Sequence, residues 1–240
     1  MAFPNLLDTE NRGERWAALD ALARRAVDPL APTTVSYEQL LEWADEDTHA
    51  EWVDGKIEMS SPARLRHQLV MGFLYRVVSA FVDVFELGSL VLPPFQMKLS
   101  NSGREPDLVY LSREHADRLR TVFVDGAADM ALEILSDESA GRDREIKRAE
   151  YQRAGVGEYW LIDPRPRGVA SFLQFEQGIY REVLRGRSGI FHSRALPNFW
   201  LDVAWLYADP LPSVERTLHA IAGDAYTRYL ADQLNSGTSG

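Results

Sequence analysis

Pro106-Asp107-Leu108-Val109-Tyr110-Leu111 and, further on, Met130-Ala131-Leu132-Glu133-Ile134-Leu135 are two short apolar runs that each carry one acid. Runs this short and this apolar predict buried strands. A carboxylate in such a strand costs several kcal/mol unless it is paired, hydrogen-bonded or bound to a metal. Two of them on neighbouring strands make an oxygen site suited to Mg²⁺ or Mn²⁺. The competing reading is a carboxylate paired with an arginine at a strand end.

Downstream of Glu133, the stretch from Arg142 to Ala154 predicts a helix closed by Gly155. Asp143, Lys147 and Tyr151 are spaced i, i+4, i+8 and share one face, with Arg144 and Arg148 on a neighbouring row. Lys147 reaches back toward the end of the Glu133 strand. A lysine beside two metal-bound acids orients an attacking water or stabilises charge on a phosphate. Taken alone, Asp143 and Lys147 read as a surface ion pair worth about 0.3–0.5 kcal/mol.

Upstream, Ser36 and Gln39 read as a capping box that opens a helix to about Ala44. Glu51 to Met59 reads as a hairpin turning at Asp54-Gly55, with Glu51 as a further acid able to join a metal shell. A long helix is predicted from Ser61-Pro62 to about Glu86, with Leu69, Phe73, Val77 and Phe81 on its buried face. Arg64, Arg66 and His67 form a basic patch near its start, where phosphate binding is physically reasonable. Leu90 to Leu99 reads as one strand bent at Pro93-Pro94. Tyr159 to Ile162 reads as a strand, followed by a second hairpin around Gln177-Gly178 and a C-terminal helix from Val214 to Leu234. An N-terminal helix is predicted from Glu14 to Val27, and the tail from Asn235 to Gly240 reads as disordered. The alternation of helices and strands predicts an α/β (α+β) chain around a mixed central β-sheet flanked by helices.

Of 240 residues, 45% are hydrophobic, enough for one sizeable core. The absence of cysteine excludes disulfides, thiolate zinc sites and cysteine nucleophiles. No HExxH, P-loop, GxGxxG or GxSxG pattern occurs. No apolar stretch approaches the roughly 20 residues that cross a bilayer. The first residues lack the basic start and apolar run of a signal peptide, so a cytoplasmic address is expected. The net charge of −10 opposes nonspecific DNA binding by the whole surface and leaves room for a local basic rim. A two-carboxylate glycosidase is also conceivable chemically. Against it, Trp43, Trp52 and Trp160 read as core and not as a sugar platform.

The segments together resemble the Uma2 family, also called DUF820, of restriction-endonuclease-like proteins. The resemblance is carried by Ser36-Tyr37-Glu38-Gln39-Leu40-Leu41-Glu42-Trp43, Glu51-Trp52-Val53-Asp54-Gly55-Lys56-Ile57, His67, Pro106-Asp107-Leu108-Val109-Tyr110 and Leu132-Glu133-Ile134-Leu135-Ser136. It continues through Arg142 to Lys147, Tyr151 to Val156 and Glu158 to Pro164, and covers about residues 33–205. It implies a PD-(D/E)XK nuclease core, a mixed four-stranded sheet flanked by helices, in a domain at 33–208; the helical appendage over 1–32 and the C-terminal helix and tail over 209–240 lie outside the likeness. Asp107 then matches the PD aspartate and Glu133 the acid of the (D/E)XK element. The lysine expected two residues after Glu133 is replaced by Leu135, and Lys147 is the matching position on the following helix. The loop Ser136-Asp137-Glu138-Ser139 also departs from the family's Ser-Pro-Ser-Thr. The implied activity is endonucleolytic phosphodiester hydrolysis, most naturally of DNA and by a homodimer. One Mg²⁺ or Mn²⁺ sits on Asp107, Glu133 and the Ile134 carbonyl. Lys147 and Glu51 position the attacking water, and Arg64, Arg66, His67, Arg144 and Arg148 contact phosphates. The alternative is a catalytically inactive module of the same fold that binds nucleic acid or protein, which the net charge favours.

Overall fold

A computed structural model describes residues 34–236, apart from 46, 60–62 and 137–138. The predicted helix over 14–27, the Ser61-Pro62 helix start and the end of the chain from 237 lie outside the described residues.

Helix α1 (Tyr37–Trp43) opens on the predicted capping box: Ser36 Oγ accepts from Gln39 N at 3.2 Å, and Gln39 Oε1 accepts from Ser36 N at 2.8 Å. Strands β1 (Ala50–Val53) and β2 (Lys56–Met59) form the first hairpin, turning on Asp54 (φ 47°) and Gly55 (φ 82°). Asp and Gly tolerate the left-handed backbone that such a two-residue turn needs. Helix α2 (Leu65–Val84) buries Val70, Phe73, Leu74, Val77, Val78 and Phe81. Leu69, predicted on that face, is 49% exposed; the buried stripe begins one residue later, at Val70.

The predicted strand from 90 to 99 is two strands in two sheets. β3 (Gly88–Val91) pairs with β6 (Leu108–Ser112), whereas β4 (Gln96–Lys98) pairs with β5 (Ser102–Arg104) and β7 (Phe123–Asp125). The Pro93-Pro94 step carries no amide hydrogens and releases the chain from one sheet to the other. β8 (Met130–Ile134) lies between β6, antiparallel, and β9 (Glu158–Ile162), parallel. β10 (Ala170–Glu176) and β11 (Ile179–Gly186) form the second hairpin around Gln177-Gly178 and extend the sheet to the order β11-β10-β9-β8-β6-β3. The mixed core β3-β6-β8-β9 therefore sits in a six-stranded sheet, larger than the four strands the resemblance implies. The second sheet has the order β2-β1-β5-β4-β7. A two-stranded ribbon, β12 (Ile190–His192) with β13 (Trp200–Asp202), closes the set.

Strand alternation assigns the two faces of the large sheet. Leu108, Tyr110, Met130, Leu132, Ile134 and Trp160 pack into the core with α2. Val109, Leu111, Ala131, Tyr159 and Leu161 pack into a second core with Met97, Val124 and Tyr151. Glu133 has the parity of Ala131 and so points into the second core, between the two sheets. Two C-terminal helices stand where one is predicted: α4 (Val214–Ala222) and α5 (Asp224–Ser236), separated at Gly223 (φ 55°). Val214, Leu218 and Tyr226 complete the core around α2. No described helix is long and apolar enough to cross a membrane.

Candidate active site

The register Leu108↔Leu132 sets Asp107, the residue before β6, beside the end of β8. Asp107 Oδ2 accepts from Ile134 N at 2.7 Å. Asp107 and Glu133, separate in sequence, thus stand at one point of the sheet edge and line one cleft of about 490 Å³.

The helix after β8 begins as a π-turn (Arg142–Lys147) and runs into α3 (Arg148–Ala154), ending at Gly155 (φ 81°). A π-turn widens the helix and is common at functional sites. Asp143, Lys147 and Tyr151 all face the sheet and are buried. Lys147 Nζ lies 2.7 Å from Glu133 Oε1, 2.7 Å from Glu51 Oε1 and 3.4 Å from Asp143 Oδ1. Tyr151 Oη donates to Glu133 Oε1 at 3.3 Å. The Asp143–Lys147 pair is therefore a buried contact and not the surface ion pair that the spacing alone suggests. Asp143 Oδ1 is near the ammonium but off its hydrogen-bonding line, and it has no hydrogen-bond partner.

Glu51 projects from β1 with both oxygens engaged. Oε1 meets Lys147 and accepts from Glu105 N at 3.1 Å; Oε2 accepts from Arg104 Nη1 at 2.9 Å. It anchors two cations, which commits both oxygens to hydrogen bonds. Arg104, fully buried, also grips Glu150 through Nε and Nη2 at 2.7 Å each. The sequence reading did not single out Arg104. Ser102-Gly103-Arg104 is a three-residue strand with no alternation, and the only hint was a cation next to Glu105-Pro106-Asp107. Behind it, His49 Nδ1 meets Glu105 Oε1 at 2.7 Å, on the same cleft.

Charge in this cluster is unevenly shared. Burial pushes the Glu133 carboxyl well up, and Asp143, Asp107 and Glu51 add to it against the opposing pull of Lys147. Burial also works to discharge Lys147, but Glu133, Glu51 and Asp143 outweigh it and hold its ammonium well above the ordinary range. For Glu51 burial raises the pKa, and Lys147 and Arg104 overcome it, bringing the carboxyl down to about 2. That depressed value contributes stability that is complete above the ordinary 4.5 and is lost as pH falls toward about 2. Glu51→Gln is expected to lower stability at neutral pH and to flatten the acid limb between those values. Urea melts across a pH series read this directly; an equally steep limb in the variant would place the acid sensitivity elsewhere.

The remaining predicted residues divide. Arg64 and His67 line the cleft. His67 Nε2 stands 3.3 Å from Asp107 Oδ2 and against the Ile134 carbonyl, so its imidazole rests on the acids and not on open solvent. Arg66 donates to the carbonyls of Leu206 and Ala208 at 2.9 and 3.0 Å. Arg144 pairs with Asp163 at 2.7 Å, and Arg148 stands near Tyr180 on another side of the helix; neither lines the cleft.

The donor set fits a hard divalent cation. The hydrogen bonds described occupy Asp107 Oδ2 and Glu133 Oε1, leaving Asp107 Oδ1 and Glu133 Oε2 without one among the described residues. Among those residues no three His, Asp or Glu side chains are placed to hold a metal by themselves. A hard divalent cation placed here would have two carboxylates and a backbone carbonyl as protein ligands and would need waters to complete its shell.

A solved structure from Anabaena variabilis, described as "a putative nuclease belonging to DUF820", matches with a TM-score of 0.62 at 15% identity, over 72% of this chain and 97% of that one. At that identity the likeness shows the fold. No curated protein matches. The family model Uma2, described as "Putative restriction endonuclease", matches residues 37–204, a span that holds Glu51, Asp107, Glu133 and Lys147. The chain belongs to the Uma2 family.

Proposed function

We propose that the chain is a metal-dependent endonuclease that hydrolyses phosphodiester bonds, with DNA as substrate and Mg²⁺ or Mn²⁺ as the ion. The observation that carries this reading is the single ammonium of Lys147 set among Glu133, Glu51 and Asp143, on the cleft that Asp107 also lines. With Asp107 included, the four acids there outnumber Lys147 and Arg104, the latter shared with Glu150, and a divalent ion would restore the balance.

Asp107, Glu133 and the Ile134 carbonyl would hold the ion, which would supply Lewis-acid polarisation of the phosphodiester and neutralise charge on the leaving oxygen. His67 gives up its place on Asp107 and the Ile134 carbonyl and turns to the phosphate, together with Arg64. Lys147 stays charged, so it works as a donor and not as a base. Two of its N–H groups are held by Glu133 and Glu51; the third, off-line from Asp143, is available to the attacking water or to the phosphoryl oxygens. Glu51 and Asp143 are positioning residues that fix this ammonium.

The test is plasmid nicking. Wild-type protein is expected to nick supercoiled DNA with Mg²⁺ or Mn²⁺ and not in EDTA. Asp107→Ala is expected to lose the nicking while keeping its melting temperature within a few degrees. Absence of nicking by the wild type under every divalent ion, or undiminished nicking by Asp107→Ala, overturns the reading. The net charge of −10 is the one observation favouring a non-catalytic binding module. Calorimetry separates the two, because a scaffold without the ion site takes up no Mn²⁺.

A further inference from the structure

A second cavity, of about 430 Å³, adjoins the acid cleft and shares Arg64, His67 and Ser136 with it. Its other walls include Arg66, Arg165, Arg187 and Tyr207. The charge of these walls is opposite to that of the cleft. Arg187 Nη1 donates to the carbonyls of Arg165, Pro166 and Gly168 at 3.3, 3.0 and 3.0 Å, and its guanidinium lies 4.0 Å over the Tyr207 ring. Arg66 is likewise held by carbonyls. Carbonyls fix a guanidinium in place without cancelling its charge, and neither arginine makes an ion pair among the described residues. Asp209 is an acid on the wall.

The same cavity receives the start of α2, a 20-residue helix with no acid in its first turn and no side-chain cap from Arg64. Its positive end adds to the field of the arginines. In a chain with a net charge of −10, two carbonyl-fixed guanidinium groups and a helix start without a side-chain cap from Arg64 converge on one concave surface. Such a surface attracts an anion and repels a cation. Leu135, Pro164 and Pro166 supply apolar walls beside it, suited to the sugar or base that accompanies a phosphate.

We infer that this cavity is a phosphate subsite, taking a backbone phosphate of the nucleic-acid strand that runs through the acid cleft. The assignment rests on the nuclease reading above and adds Arg187 and Tyr207 to the substrate contacts. It also gives an acidic protein a local basic wall with which to engage DNA.

The test is fluorescence anisotropy of the full chain with a labelled oligonucleotide, in Ca²⁺ to withhold cleavage, over a salt series. Arg187→Ala and Arg64→Ala are each expected to weaken binding about tenfold, the loss of one charge-assisted hydrogen bond. Each should also make the plot of log K against log salt shallower by about 0.7–0.9. Arg181→Ala, on exposed β11 beside Glu176, serves as the control and is expected to change neither. Arg187→Lys separates charge from architecture: it restores the salt slope if a phosphate reads the charge and fails to do so if the side chain only braces the 165–168 loop. Wild-type affinity and slope in both alanine variants, with nicking intact, overturn the subsite and leave the nuclease reading standing. Loss of both binding and nicking in the wild type overturns the two together.

Discussion

Lys147→Met is expected to destabilise the protein by about 3–5 kcal/mol at neutral pH, the cost of stripping one partner from a buried ion cluster. Methionine fills a similar volume, so the loss is electrostatic. The ammonium sits 2.7 Å from both Glu133 and Glu51 and 3.4 Å from Asp143, and all three carboxylates are buried. Arg104 remains beside Glu51, but among the described residues Glu133 keeps only the Tyr151 hydroxyl and Asp143 Oδ1 has no hydrogen bond. Without the ammonium the Glu133 carboxyl, already raised by burial, titrates further above its unfolded value. The variant therefore recovers stability as pH falls, because its folded state binds more protons than its unfolded state. The wild type behaves differently: the Lys147 contribution is fully present below the ordinary lysine value of 10.5 and disappears only as pH rises through the higher folded value. Chemical denaturation of both proteins over a pH series reads the difference. Equal stability at neutral pH would show that the ammonium does not hold this cluster.

Glu133→Gln is expected to separate stability from activity. Burial and the neighbouring acids hold the Glu133 carboxyl well above its ordinary value, so its charged form is disfavoured by the fold. A neutral, isosteric amide removes that penalty, while Lys147 retains Glu51 and Asp143. The melting temperature at neutral pH is expected to be at least that of the wild type. Nicking, by contrast, is expected to fall by at least about 100-fold, as is usual when a charge-stabilising group is removed from a reacting centre. Mn²⁺ affinity measured by calorimetry should fall with it. A melt lowered by several degrees, or nicking within a few-fold of the wild type, contradicts the assignment of Glu133 to the reacting centre. A gain in stability on losing function is the mark of a site under electrostatic strain.

Much of this arrangement was legible along the chain because local rules operate there without help. The Asp54-Gly55 and Gln177-Gly178 turns demand left-handed backbone, and Ser36 and Gln39 close a capping box within four residues. Asp107 and Glu133 stood out because each breaks an apolar run, and Lys147 because 143, 147 and 151 fall on one helical face. Arg104 and the burial of Asp143 were not legible. A three-residue strand has no periodicity, and an i, i+4 acid–lysine pair looks the same in sequence whether it faces water or a sheet. The single strand read from 90 to 99 failed for a related reason: nothing local tells a chain which of two sheets its next residues will join.

The order of residues alone singled out the candidate acids and lysine and settled the local shape that presents each one, since turns, caps and helical stripes are decided within a few residues. Packing between distant segments settled their partners. Strand β8 brings Glu133 between two sheets, β1 carries Glu51 to the same ammonium, and α2 lays His67 across Asp107. Those contacts span up to 96 positions, from Glu51 to Lys147. They depend on the register and stacking of elements whose hydrophobic faces are satisfied only by each other.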